Sequence, residues 1–250
     1  MVYLDKGYIG CFEMADKESG KRRLKEYVRQ LKKAGHKQII APINGDTWHQ
    51  YRLVNWSGGD PAFPLEMQNP LWYNEVYEEV GFKPLKKYTS DKFSINNIKQ
   101  IENTDLTIVI RKFCDGDLRL IYDISLQGFE GNFLYSVITF EEFSKLYQPV
   151  LPMLDKELAV IAEVDGVPAG FMFSFAAGDR LILKSMAVLP VFRSKGIGAK
   201  LMNHVLVAGH KKGAKTAIAA FIAEGNNSHK IVSKYGSQKI REYTLYSLEV

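Results

Sequence analysis

The sequence predicts a mixed α/β fold: a mostly antiparallel sheet with a central parallel pair, flanked by helices and preceded by a half-copy of itself. Three observations carry this prediction. Residues 157–188 read as three short strands separated by tight turns, an antiparallel meander. A helix and a nearly continuous apolar strand, TAIAAFIA, come next, the pattern of a parallel crossover buried on both faces. The first hundred residues repeat the back half of that order, with Gly35 and Gly213 at matching places.

In the C-terminal part, residues 106–111 (LTIVIR) form the first strand, and Asp117 is placed to cap a helix carrying Leu118, Ile121 and Ile124. Thr139 followed three residues later by Glu142 is a capping-box pattern, opening a helix with Phe140, Phe143, Tyr147 and Leu151 on one face. Asp165-Gly166 joins two strands as a two-residue hairpin turn. After Gly178-Asp179 the third strand, LILKSMAV, leads through Leu189-Pro190 into RSKGIGAKL. That segment opens a helix with Ile197, Leu201, Val205 and Ala208 on one side, ended by Gly213. A helix at 227–234 and a strand, REYTLYSL, close the chain.

The first copy starts late. Residues 10–13 are strand-like, and a helix presents Leu24, Tyr27, Val28 and Leu31 before Gly35. Strand QIIAPI follows as TAIAAFIA follows Gly213. GFKPLKKYT from Gly81 mirrors GSQKIREYT from Gly236, with Tyr88 and Tyr243 at equal distance from their glycines. Residues between Ile43 and Trp72 are extra and form an inserted loop region, and the polar segment from Asp91 reads as a linker. The expected domains are therefore 1–103, incomplete and degenerate, and 104–250, complete. Such a half-sheet needs cover, so residues 1–100 are expected to pack, near Leu24 and Leu31, against the C-terminal domain or a second copy in a homodimer.

Composition narrows the function. The chain has 250 residues, 46% hydrophobic and 24% charged, a globular balance rather than a disordered one. Two cysteines, Cys11 and Cys114, make no disulfide framework, and with no signal-like or membrane-spanning run the expected location is cytoplasmic. The net charge of +5 comes from basic residues interleaved with acids, as in KESGKRRLKEY, which marks solvated faces more than a nucleic-acid stripe. His204, His210 and His229 lack metal-ligand spacing with Cys or Asp, so no metal is expected. Trp48, His49, Tyr51, Arg52 and Trp56 of the inserted loop either line an acceptor pocket or form a satellite core.

The sharpest motif is Arg193-Ser194-Lys195-Gly196-Ile197-Gly198-Ala199, between a strand and a helix. Two glycines at this spacing let backbone amides approach an anion at a helix N-terminus, with Arg193, Lys195 and Lys200 as cationic donors. It is not a Walker loop or a dinucleotide fingerprint. The alternative reading is a plain strand-to-helix turn.

Together with the preceding Met186-Ala187-Val188-Leu189-Pro190-Val191-Phe192, this loop resembles the acetyl-CoA signature of the GNAT acyltransferase superfamily: hydrophobic strand, Val-x-Pro, then Arg/Gln-x-x-Gly-x-Gly/Ala opening a helix. The order of elements from 105 to 250 resembles the family fold throughout, and residues 1–100 resemble its back half. The resemblance implies acetyl-CoA as co-substrate and a small-molecule or peptide amine as acceptor. Amides from Ser194 to Ala199 would hold the pyrophosphate, with Asn226 and Asn227 nearby, and Met186 to Val188 would pair with the pantetheine arm. The Val188 amide would then face the thioester oxygen; Met186 and Val188 can equally be core packing.

The sequence also departs from the family. The tyrosine that protonates the thiolate in many members is Val232 here, with Ser233 and Tyr235 as substitutes, and a common strand glutamate is Ile182. Glu224 is the candidate base, against a reading as a solvated strand end. In the first copy Ala15, Glu18 and Gly20 stand at the positions of Arg193, Gly196 and Gly198, so no CoA is expected there, although Tyr77 matches the tyrosine position. The expected function is acetyl transfer to a primary amine by direct attack in a ternary complex. A non-catalytic CoA- or nucleic-acid-binding regulator is the alternative. A transferase using charged tRNA fits less well with an intact CoA loop.

Overall fold

The computed structural model describes residues 1–101 and 107–250. In chain order the elements are β1 (Val2–Tyr3), β2 (Tyr8–Ile9), α1 (Lys17–Lys33), β3 (Gln38–Ala41), β4 (Leu53–Ser57), α2 (Trp72–Val80) and β5 (Lys83–Ser94). There follow β6 (Ile108–Lys112), α3 (Leu118–Gly128), α4 (Phe140–Tyr147), β7 (Ala159–Val164), β8 (Val167–Ala177) and β9 (Arg180–Val188). The chain ends with α5 (Ile197–Lys211), β10 (Thr216–Ala223), α6 (Ser228–Val232) and β11 (Gln238–Glu249). It divides into two compact units. The first comprises Met1–Ser90, Phe221–Asn226 and Lys239–Val250, and the second Asp91–Ala220 and Asn227–Gln238.

In the first unit, the Asp16 side chain accepts from the Ser19 amide and so caps α1. Leu24 and Leu31, two turns apart on one face, are fully buried. They pack in one core with Ile9, Ile39, Tyr77 and Tyr246. Each such leucine contributes about 1.5–3 kcal/mol by leaving water. β2 and β3 run parallel through Tyr8 and Ile40. The chain's last strand, β11, lies antiparallel to β3 and to β4. The half-copy is thus completed by a strand from the far end of the sequence. Residues 10–13 are not strand: the Gly10 amide donates to Met1 O and the Cys11 amide to Asn44 Oδ1, so no ladder forms there. The segment from Asp91, expected as linker, continues β5 to Ser94.

In the second unit, neighbouring strands run in the order β10, β9, β8, β7, β6, with β9 and β10 parallel and the rest antiparallel. The expected strand at 106–111 is β6, and Leu106 lies outside the described residues. The Asp165-Gly166 turn has both φ angles positive, at 50° and 75°, as a two-residue hairpin requires. Thr139 and Glu142 form the reciprocal capping box of α4. Asp117 does not cap α3; its carboxylate accepts from the Cys114 amide and from Arg111 instead. Two hydrogen bonds from a cationic guanidinium hold the carboxylate more strongly than one amide of the helix start would.

Candidate functional site

The site begins where two strands part. β9 and β10 pair from Arg180↔Thr216 to Leu183↔Ala219 and no further. At the same place the β8–β9 register slips, with Phe173 opposite Ser185 and Ser174 opposite Leu183, so Lys184 is an extra residue. A bulge of this kind bends a strand and ends its pairing. From Lys184 to Val188, β9 therefore keeps β8 on one edge and lacks β10 on the other. The Leu189 amide donates to Ala169 O on the β8 side. Amides alternate along an antiparallel strand, so Val188 and Met186 aim theirs at the open edge. An extended chain carrying carbonyls and amides can pair with that edge.

Nine residues after Val188 the chain enters α5. Gly196 occupies the N-cap with φ 76° and supplies no side-chain cap. Ser194 is also left-handed at φ 65°, an uncommon conformation for a residue with a Cβ. The first-turn amides of Ile197, Gly198 and Ala199 have no partner within the helix. A Cβ on Gly198 would meet Met186 Cε and Sδ at 3.5 and 3.6 Å, ordinary contacts, so packing in the protein alone does not demand glycine there. Open amides, a dipole and a bare helix flank are what a phosphate group needs.

The cationic side chains are arranged less freely than the sequence suggests. Arg193 donates from Nη2 to Gly128 O at 3.0 Å and from Nε to Val188 O at 3.4 Å, tying the loop to the ends of α3 and β9. Lys195 Nζ lies 5.4 Å from the centre of the Phe192 ring. Lys200 is half-buried one turn into α5.

The remaining candidates are distributed over both units. Tyr235 stacks on Phe93 at 5.1 Å, and burial raises its hydroxyl above the ordinary tyrosine value. Ser233 Oγ donates to Lys230 O. Val232 and Ile182 are fully buried and can only pack. Asn227 is exposed at the start of α6 without a side-chain cap. In the first unit Asn226 and Glu224 are exposed, and Glu224 binds β5 through its backbone, receiving Lys86 Nζ on its carbonyl.

Two arrangements in the second unit escaped the sequence reading. Burial pushes the Tyr147 hydroxyl up to about 12, against the effect of a hydrogen bond with Ser185 on β9. His229 Nδ1 stands 3.6 Å from Asp91 Oδ2, and Asp91 Oδ1 is buried with no hydrogen-bond partner. Both join residues far apart in sequence, for which no local signal exists.

The corresponding helix start in the first unit is filled by the chain itself. Asp16 caps it, and Glu18 is exposed and paired with Lys21. A Cβ on Gly20 would fall 2.6 Å from Met14 Sδ, so the Met14 side chain occupies the space beside the helix. The Met14 amide donates to Tyr73 Oη at 2.6 Å and Tyr73 Oη donates back to Met14 O at 3.2 Å. Tyr77 is buried, stacked on Tyr246, and its hydroxyl is held far above its ordinary value by desolvation. Cys11 is pushed up to about 11 by burial, so its thiolate is scarce.

Residues 121–232 match the model of the acetyltransferase (GNAT) family. This stretch, most of it in the second unit, is similar to a GNAT domain. The match runs from within α3, through the bulged β9 and the glycine loop, to the end of α6. Among solved structures the fold is similar to that of a GCN5-related N-acetyltransferase from Sphaerobacter thermophilus, with 16% identity over 91% of this chain and 66% of the other, at a TM-score of 0.64. It is also similar to the GCN5-related glucosamine N-acetyltransferase region of a fungal multi-domain GH3 beta-N-acetylglucosaminidase. There the identity is 11% over 89% and 27% of the two chains, with a TM-score of 0.59. A tandem GNAT protein from the clavulanic acid biosynthesis pathway matches at 11% identity over 94% and 71%, with a TM-score of 0.57. The chain thus spans 66% and 27% of the first two proteins. At these identities the likeness establishes the fold. No curated protein matches this sequence. The GNAT match supports acyl transfer as the general chemistry of the second unit. Among the described residues no helix is long and apolar enough to cross a membrane, and no cluster of His, Cys, Asp or Glu could hold a metal ion.

Proposed function

We propose that the second unit transfers an acetyl group from acetyl-CoA to a primary amine. The observation that carries this reading is the open edge of β9 beyond Leu183, ending at the uncapped α5. The pantetheine arm pairs with the Met186 and Val188 amides, and the pyrophosphate takes the amides between Ser194 and Ala199. Arg193 holds the loop in place rather than the phosphate. Both substrates bind together. The amine nitrogen attacks the thioester carbonyl, its oxygen takes negative charge facing the Val188 amide, and the carbon–sulfur bond then breaks. The nitrogen loses a proton to water, and the departing thiolate gains one from solvent, Ser233 or Tyr235. Holding a neutral amine beside the thioester supplies much of the rate. The first unit, its helix start filled by Asp16, Met14 and Tyr73, binds no CoA in this reading.

A second reading rests on Val232 and Ile182, both fully buried where relatives carry ionisable groups. Under it the domain binds CoA without turnover. Thiol release from acetyl-CoA, followed colorimetrically with a panel of primary amines, separates the two. Amine-dependent release supports transfer; tight binding with no release across the panel supports the second reading.

A further inference from the structure

The first unit contains a buried charge cluster that the acyl-transfer reading does not use. Arg52, Glu66 and Arg241 are all nine-tenths or more buried. Arg241 Nε pairs with Glu66 Oε1 at 3.1 Å, and Tyr243 Oη donates to the same oxygen at 2.7 Å. Arg241 spends its other donors on the carbonyls of Ile240 and Asp60. Glu66 is thereby satisfied by Arg241, and the cluster holds two cations against one anion. The surplus is Arg52.

Arg52 sits in a box of aromatic rings. Its guanidinium carbon lies 4.1 Å from the Tyr51 ring centre, 4.4 Å from Phe221, 4.6 Å from Tyr88 and 5.7 Å from Tyr243. Nη1 donates to Tyr51 Oη at 3.1 Å. Among the described residues its side chain has no carboxylate partner and no second acceptor, although a guanidinium carries five N–H donors. The backbone is held out of the ordinary region at two places in the box, with φ 71° at Arg52 and 59° at Phe221. Strain of this kind persists where the surroundings fix it, often around ligands. Ring faces favour the cation but leave its N–H edge unanswered, and buried charges are ordinarily paired.

We propose that Arg52 is the anchor of a binding site for a small planar monocarboxylate. A guanidinium edge matches a carboxylate with two parallel hydrogen bonds. The surplus is a single positive charge, which one carboxylate neutralises and a phosphate dianion would overshoot. The rings pack on the faces of the guanidinium, so a ligand would meet its N–H edge with the carboxylate and follow with a flat body. Desolvation keeps Tyr88 and Tyr243 protonated far above neutral pH, so neither ring brings a competing negative charge. This site is independent of the acetyl-CoA reading and stands or falls without it.

The test uses the full chain and sodium benzoate as probe, with benzamide and benzylamine as neutral and cationic counterparts. In calorimetry benzoate is expected to bind with one site per chain, at least tenfold tighter than either counterpart. Benzoate is also expected to raise the thermal midpoint. Arg52→Met is expected to abolish both effects. Arg52→Lys keeps the charge but loses the fork, and should weaken benzoate about tenfold while retaining the fold, which covers the case that the methionine variant does not fold. Equal binding of benzoate and benzamide, no benzoate binding to the wild type, or undiminished binding to Arg52→Lys would overturn the proposal.

Discussion

Gly198 and Gly196 face different physical demands, and substitution separates them. Alanine at 198 meets only ordinary contacts with Met186, and in a helix it is favoured over glycine by about 1 kcal/mol. Gly198→Ala is therefore expected to leave the thermal midpoint equal or higher, while lowering acetyl-CoA affinity by tenfold or more in calorimetry. Unchanged affinity would mean that no phosphate approaches this helix flank. At Gly196, alanine costs about 1–2 kcal/mol for its left-handed φ. Gly196→Glu adds repulsion at the proposed phosphate position on top of that, so the alanine and glutamate variants should melt alike yet differ in affinity. Away from the site, Arg111 holds Asp117 through two hydrogen bonds and Glu163 through a third. Burial acts to raise the Asp117 carboxyl, but Arg111 and the Cys114 amide outweigh it and set it below its ordinary value. A lowered carboxyl stabilises the fold above its unfolded value, and that contribution fades as pH falls through the folded one. Arg111→Met is expected to cost about 1–2 kcal/mol near neutrality. The gap to wild type should close below about pH 4; a gap unchanged by acid would refute it. The glycines were legible because spacing along the chain reveals them. Arg193 tied to Gly128, and Tyr147 beside Ser185, were not, since those contacts exist only once distant strands and helices are assembled.

The elements divide in the same way. The Asp165-Gly166 hairpin, the Thr139/Glu142 capping box and the parallel β9–α5–β10 crossover each rest on signals within a few residues, and each stands as read. The placing of β11 does not. Its residues read as a strand, but its pairing with β3 and β4 joins the two ends of the chain, and strand pairing leaves no mark in either partner alone. The β9 bulge at Lys184 was equally hidden, because it is a mismatch between two strands rather than a property of one. The position of β11 has a direct consequence. Tyr243, Leu245 and Tyr246 of β11 are buried, and losing the surroundings of such side chains costs about 2–5 kcal/mol each. The fragment 104–250 would carry β11 without β3, β4 or the first-unit core. It is expected to aggregate, or to melt far below the full chain by circular dichroism. A monomeric fragment as stable as the full chain would contradict this placing of β11.

At the scale of the whole molecule, the two units show one helix start left open and its counterpart filled by the chain. Gly196 supplies no cap for α5, whereas Asp16 caps α1 and Met14 and Tyr73 fill the space beside it. Calorimetry is therefore expected to give one acetyl-CoA per chain; two equivalent sites would mean that the first unit opens. If the proposed acetyl transfer holds, the acceptor reacts as a neutral amine, and the rate should rise with pH toward the amine's own value. Tyr235, raised above the ordinary tyrosine value, should add no limb below about pH 10. The measurement that tests the central claim most directly is thiol release from acetyl-CoA across a panel of primary amines, wild type beside Gly198→Ala. The account predicts release that depends on the amine, saturates in acetyl-CoA, and shifts to higher acetyl-CoA concentration in the variant. Release independent of every amine, or identical in the two proteins at limiting acetyl-CoA, would contradict it.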